Sequence, residues 1–253
     1  MMHDLKQLSA SFAADGFVTL DRLWSPAEVQ EVETELERFL VECVPRMEKV
    51  HKTFTEGWKG EVKSLGGLDL YDGYFKELGN HPLMRQIASS LLGDEALFVA
   101  IEFFSRPPGS DAIGPYHQDN GYFCYQPAEA LAFWIALDDV DAQNGGVVYA
   151  RGSHRGGLLP HQALGIHGFS QQVAEAGEQL QGYEEIVGVL PRGGCSVHHC
   201  LTAHRSGPNP TQRPRRAIVA DYRTARAVES QALREQLDGE REKLLKRISQ
   251  RGN

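Results

Sequence analysis

The chain has 253 residues, with 26 lysines and arginines against 34 aspartates and glutamates, a formal charge of −8 with histidines neutral. That balance speaks against a dedicated nucleic-acid binder. A hydrophobic content of 41% is enough to build a core, which excludes disorder as the main state. The longest purely apolar run, Ala130 to Leu137, has eight residues, far below the ~20 that a helix needs to cross a bilayer. The amino-terminal stretch MMHDLKQLSASF carries Asp4 and Lys6 and no small-residue cleavage pattern, so no signal peptide is expected. Four scattered cysteines (Cys43, Cys124, Cys195 and Cys200) form no C-x-x-C pair and read as free thiols of a cytoplasmic protein. Asn209-Pro210-Thr211 has proline in the middle and cannot be a glycosylation acceptor, in keeping with that compartment.

Residues 1–95 read as mainly helical. Ser25-Pro26-Ala27-Glu28 offers an N-cap, a proline at N1 and a glutamate at N3. Val29, Val32, Leu36, Phe39, Leu40 and Cys43 then recur at helical spacing as one apolar stripe. A second helix starts at Pro82 and runs through Leu83, Ile87 and Leu91 to Gly93, which can supply the left-handed terminal residue. Between these helices, Arg46 to Lys63 carries five basic residues (Arg46, Lys49, Lys52, Lys59, Lys63) against three acidic ones, with Phe54 and Trp58 interspersed. It reads either as a lid or as a solvated amphipathic connector.

After residue 95 the texture becomes short runs rich in Val, Ile, Phe and Tyr, at 96–105, 130–137, 146–150, 185–190, 195–201 and 215–222. Six short strands without long helices between them predict antiparallel sheets closing on each other, a helix-flanked jelly roll over 96–223. Val228, Leu233, Leu237, Leu244, Leu245 and Ile248 sit among charges and predict a helical tail over 224–253, broken near Gly239. Homo-oligomerisation through that tail is an open expectation. No repeat, phosphate loop, dinucleotide fingerprint or G-x-S-x-G elbow occurs, which removes the commonest nucleotide and esterase readings.

Chemistry-bearing residues concentrate in two places. Pro115-Tyr116-His117-Gln118-Asp119-Asn120-Gly121 sets an imidazole and a carboxylate two apart, on one face if the backbone is extended. An H-x-D triplet alone is weak evidence. Val197-His198-His199-Cys200-Leu201-Thr202-Ala203-His204 offers a third ligand. Two histidines and one carboxylate leave three octahedral positions open, the arrangement with which non-haem Fe(II) oxygenases bind a cosubstrate and O₂. A structural zinc would instead be closed by four ligands, usually with paired thiolates, and Cys195 and Cys200 would steer the site to softer metals. One strand cannot point both His198 and His199 inward, so these read as packing and hydrogen-bonding neighbours, and His154 as a turn residue.

H-x-D followed by a distal H-x-S-G-P-N-x-T-x-x-x-R resembles the phytanoyl-CoA dioxygenase family of Fe(II)/2-oxoglutarate oxygenases. The resemblance extends to Phe12-Ala13-Ala14-Asp15-Gly16-Phe17, to Trp134-Ile135-Ala136-Leu137-Asp138-Asp139, and to Asn144-Gly145 followed by Gly152-Ser153-His154, covering most of residues 10–223. It implies a double-stranded β-helix, a cupin-like jelly roll, with His117, Asp119 and His204 as metal ligands. It also places the 2-oxoglutarate arginine eleven residues after the distal histidine, where Arg215 stands; His199 would put it at Pro210. A planar guanidinium suits a two-pronged grip on a carboxylate. Arg216, its neighbour, should face the other way. Ser206 is placed to add a hydroxyl to the same carboxylate, and Trp134 reads as a core or pocket-wall aromatic.

Asn120, Tyr122 and Phe123 are candidates for the substrate pocket. By the resemblance the cofactors are Fe(II), 2-oxoglutarate and O₂. The expected reaction is hydroxylation of an unactivated C–H bond of a small metabolite, with release of succinate and CO₂. Halogenating relatives replace the carboxylate that Asp119 retains here, which argues against that outcome. Desaturation, epoxidation or ring formation on the same cofactors, and a non-oxygenase metal-binding jelly roll, are the competing readings. The basic residues from Arg46 to Lys63 hint at an anionic substrate, without a recognisable CoA-binding cluster.

Overall fold

The computed structural model describes residues 4–56, 59–166 and 169–251. Asp4 accepts the backbone N–H groups of Lys6 and Gln7 and so starts α1 (Leu5–Asp15), which ends where Gly16 turns left-handed at φ 81°. A Cβ there would sit 2.4 Å from His154 Nδ1, so the turn into β1 (Phe17–Leu20) requires glycine. Ser25 caps α2 (Pro26–Glu42) in a full capping box with Glu28, as its sequence predicts. Val29, Val32, Leu36 and Phe39 are buried in the core beneath it. The basic segment 46–63 is partly sheet: β2 (Lys52–Glu56) pairs with β3 (Lys59–Leu65), and β3 extends the main sheet. Trp58 lies outside the described residues. With β1, this hairpin makes the first 95 residues less helical than their periodicity suggests. Helices α3 (Gly73–Gly79) and α4 (Pro82–Leu92) complete that part, the latter ending on Gly93 at φ 70°.

Then come β4 (Ala96–Arg106), β5 (Gly114–His117), the single turn α5 (Asn120–Phe123), β6 (Tyr125–Gln126), β7 (Ala130–Ala136) and β8 (Val147–Ala150). They are followed by β9 (His161–Ile166), β10 (Phe169–Val173), α6 (Ala176–Gln179), β11 (Glu185–Val187), β12 (Cys195–His199), β13 (His204–Ser206), β14 (Arg215–Thr224), β15 (Val228–Glu229) and α7 (Gln231–Arg251). All six strand runs expected after residue 95 are present. The short β5, β6, β9, β10, β13 and β15 escaped the pattern because polar residues interrupt their apolar runs. The tail also differs: α7 runs through Gly239 without a break, since one glycine costs a helix only about 1 kcal/mol. No helix among the described residues is long and apolar enough to cross a membrane.

Two antiparallel sheets face each other, in the orders β1-β12-β7-β14-β4-β3-β2 and β11-β8-β13-β5, forming the double-stranded β-helix. The outer face of the large sheet, with Phe133, Ile135, Val197, Ile218, Ala220 and Tyr222, packs under the helices. The inner face meets the small sheet through Phe17, stacked on Tyr149 at 4.5 Å, and through the Tyr149 hydroxyl, 2.7 Å from Ser196 Oγ. Strand β7 is buried at every position, which is why its sequence is a continuous apolar run rather than an alternation. Strand alternation then sorts β14: Arg215, Ala217, Val219 and Asp221 look inward, while Arg216, Ile218, Ala220 and Tyr222 look out.

Candidate metal centre and its cavity

Strands β5 and β13 pair so that His117 lies opposite His204, with ring centroids 4.2 Å apart. Each ring holds its Nδ1 2.9 Å from a backbone carbonyl, of Pro115 and Thr202 respectively. A carbonyl only accepts, so both Nδ1 atoms carry the proton and both Nε2 lone pairs point away, toward Asp119. Asp119 Oδ1 lies 3.9 Å from His117 Nε2 and 3.6 Å from His204 Nε2. The three donor atoms sit within 4.8 Å of one another, a spacing that can hold one metal ion.

The extended backbone expected across His117-Gln118-Asp119 is not what brings the pair together. β5 stops at His117, and Asp119 is helical at φ −60° and ψ −33°, leading into α5. Gln118 fixes that corner: fully buried, it donates to the carbonyls of Gly157 and Leu201 and accepts from Leu159 N–H. The other carboxylate oxygen, Asp119 Oδ2, accepts from His198 Nε2 at 3.0 Å. His199 turns outward, accepting from Leu201 N–H and lying 5.6 Å from the ring of His154. The two adjacent histidines thus split between the faces as strand geometry requires, and His154 sits in the turn Ser153–Gly156.

Burial works to raise the Asp119 pKa, but the imidazoles of His204, His198 and His117 together hold the carboxyl well below its usual range. Burial lowers His204 to about 3, and it lowers His117 as well. Both ligand candidates are therefore neutral and the carboxylate is charged near neutral pH, the protonation states that metal binding needs.

The cluster opens into a cavity of about 870 Å³ between the sheets, lined by His117, Asp119, Trp134, His204, Ser206 and Arg215 among others. Arg215 is 3% exposed, its guanidinium lies 5.3 Å over the Trp134 ring, and its buried Nε has no hydrogen-bond partner among the described residues. Burial, then the charge of Arg106, lowers its pKa to about 9. Arg106, also buried, donates to Ser206 Oγ at 3.1 Å. Arg216 faces away and forms a two-pronged pair with Asp138, with a further contact to Glu33. Asn209, of the Gly-Pro-Asn run, ties the loop before Arg215 to the end of β4 through the carbonyls of Arg106 and Arg213.

Tyr122 and Phe123 line the cavity. Asn120 does not: it is 1% exposed, and its amide spans α5, accepting from Tyr125 N–H and donating to Tyr125 O. Its polarity serves the turn that follows Asp119 rather than a substrate. Glu102 and Asp221, two acids on the inner face that are not among the sequence candidates, line the same cavity. The signal was available, since each is a lone acid inside an apolar strand, in Val99-Ala100-Ile101-Glu102-Phe103-Phe104 and Ile218-Val219-Ala220-Asp221-Tyr222.

The chain is 28% identical over 152 residues to the human peroxisomal phytanoyl-CoA dioxygenase, covering 57% of this chain and 44% of that protein. It is 25% identical over 225 residues to the rat enzyme of the same name, covering 83% and 66%. The chain thus spans less than two thirds of these relatives. Among solved structures, the epimerase SnoN in complex with Fe3+, alpha ketoglutarate and nogalamycin RO superposes with a TM-score of 0.72 at 24% identity, covering 89% of this chain and 85% of that one. The phytanoyl-CoA dioxygenase (PhyH) family profile matches residues 12–217, which takes in His117, Asp119, His204 and Arg215, and the chain belongs to that family.

Proposed function

We propose that the chain acts as one Fe(II)- and 2-oxoglutarate-dependent dioxygenase domain that hydroxylates a C–H bond of a small metabolite. One observation carries the reading: a two-histidine, one-carboxylate donor set shares a cavity with a buried arginine that has no anionic partner among the described residues. The donors fit iron, since two neutral imidazoles and a carboxylate on one side leave positions for a chelating cosubstrate. The arginine fits 2-oxoglutarate, because burying a guanidinium is costly unless an anion joins it.

In this reading His117, Asp119 and His204 hold the metal. His198 positions Asp119 by occupying Oδ2, which leaves Oδ1 for the ion. Arg215 grips the far carboxylate of 2-oxoglutarate, Ser206 adds its hydroxyl, and Trp134 walls the cosubstrate against the sheet. Bound iron and 2-oxoglutarate would supply the O₂-dependent oxidation that yields succinate, CO₂ and hydroxylated substrate. Tyr122 and Phe123 line the substrate side and exclude water from it.

A cytoplasmic location belongs to the same proposal, supported by four buried cysteines that form no disulfide among the described residues. Self-association through α7 is a further part of it. Leu237 turns into this chain, which leaves the partly exposed Leu233 and Leu244 as the residues a dimer would cover.

The deciding experiment is anaerobic titration of metal-free protein with Fe(II) and 2-oxoglutarate, read by the visible charge-transfer band. The band is expected in the native protein and weakened in Asp119→Ala and Arg215→Ala. Its absence from folded, metal-loaded native protein overturns the reading.

A further inference from the structure

The cavity carries charge that neither iron nor 2-oxoglutarate uses. Glu102 on β4 stands opposite Val219 on β14, so Asp221, two residues on, is its diagonal neighbour on the inner face. Such neighbours lie roughly 7–8 Å apart, and the reach of the side chains lets both carboxylates approach one small group between them. Asp221 is only 5% exposed. Glu102 lies against Gly66, where even a Cβ would come within 3.3 Å of Oε1. Neither acid has a hydrogen bond or an ion pair with any described residue. Among the described residues the charges that shift them are other acids: burial first, then Asp119 and Asp69, push Glu102 up, and burial, then Glu102, Asp119 and Asp69, push Asp221 up.

The remaining acids near the cavity show what compensation looks like in this protein. Asp119 has three imidazoles around it, and Asp69 Oδ1 accepts Ile101 N–H at 3.0 Å. Two cavity-facing acids, Asp221 buried and Glu102 half-buried, with no hydrogen-bond donor among the described residues, suit a partner that brings both protons to donate and the positive charge that would keep them ionised. A second metal does not meet the call, since among the described residues His117, Asp119 and His204 form the one group of three spaced to hold an ion. A hydroxyl donates one proton and leaves the charge standing. An anion is repelled. A protonated amine donates up to three hydrogen bonds and offsets the charge.

We propose that the substrate is a cationic amine whose ammonium group sits between Glu102 and Asp221. This rests on the oxygenase reading for the fate of the bound amine, but the amine site itself does not. Register also sets the size of the ligand. Asp221, Ala132 and His198 form one cross-strand row, so the acid lies two strand spacings, about 10 Å, from the histidine that braces Asp119. The reacting carbon is therefore several bonds from the nitrogen. The floor between is Ala132, with Val219 beside it on the same face, and suits an apolar spacer.

This charge is opposite to the one suggested by the basic segment. Of its lysines and arginines with described side chains, Lys63 lines the cavity, beside Val50, His51 and Thr53, whereas Arg46 and Lys52 donate to the carbonyls of Glu42 and Val44.

Anaerobic calorimetry on the protein loaded with iron and 2-oxoglutarate, using hexylamine, hexanol and hexanoate as chain-matched probes, tests the proposal. Hexylamine is expected to bind at least about tenfold more tightly than either other probe. Glu102→Gln and Asp221→Asn should each remove most of that advantage while the charge-transfer band of 2-oxoglutarate persists. Equal or tighter binding of hexanol or hexanoate, unchanged hexylamine affinity in both variants, or no binding by any probe overturns it. Should a variant fail to fold, the ranking of the three probes on native protein decides. A missing charge-transfer band with the probe ranking intact breaks the oxygenase reading and leaves the amine site standing.

Discussion

Arg215 and Arg216 are neighbours in one strand and live in opposite conditions. Arg216 looks out of the large sheet and is neutralised by Asp138 and Glu33, part of a set that also joins Arg192 to Glu33. Arg215 looks inward, is nearly fully buried and has no carboxylate partner among the described residues. The same contrast separates Asp138 from Asp221. On the helix-covered face Arg216 and Asp138 are paired with each other and serve the scaffold; on the cavity face Arg215 and Asp221 have no charged partner among the described residues. In the proposed reading the two unpaired groups are the ones a ligand would neutralise, and pairing rather than residue type separates them from Arg216 and Asp138.

That distinction can be broken in graded steps. Arg215→Ala is expected to weaken 2-oxoglutarate binding by roughly 2–5 kcal/mol, the usual cost of truncating one member of a buried charge pair, read as the cosubstrate dissociation constant. An unchanged constant would assign the grip to Arg106 instead. His198→Phe keeps the ring but removes the donor to Asp119 Oδ2, and iron affinity should fall about 10–100-fold in a competitive chelator assay.

Glu102→Gln tests the open acids through pH. Burial pushes Glu102 up to about 7 from its ordinary 4.5, so between those values the folded protein binds more protons than the unfolded chain. Its contribution is then most favourable below 4.5 and declines as pH rises through 7, by on the order of 1–3 kcal/mol. Urea unfolding of the metal-free protein at either end of that window should show the decline in native protein and a smaller one in the variant. Equal slopes would mean that Glu102 is already neutralised by a partner. Arg216→Ala, at the small end, should cost about 1 kcal/mol of stability, given a side chain 31% exposed, and leave the 2-oxoglutarate constant alone.

Much of the jelly roll was legible because buried strands keep their apolar runs whatever the surroundings. The capping box at Ser25 and the stop at Gly93 were legible because capping is a local matter. His117 and Asp119 were legible through spacing and His204 through the family resemblance, but the reason for their convergence was not. It lies in the register of β5 against β13 and in the corner held by Gln118, both long-range. Asn120 misled because a polar residue beside a site looks functional until its hydrogen bonds are known. Glu102 and Asp221 were overlooked because they sit in runs that read as core, where the acid itself was the clue.

The tail has a practical meaning. Ser230 N–H donates to the Cys124 carbonyl, and Arg234, braced by Glu229, donates to the carbonyl of Tyr122, which walls the cavity. The first turn of α7 is thus a clasp on the wall of the cavity, whereas the far end of the helix is not bound to it by these bonds. Trimming the chain back to the end of β14 would unfasten Tyr122, and an assay of such a shortened protein would measure a different pocket.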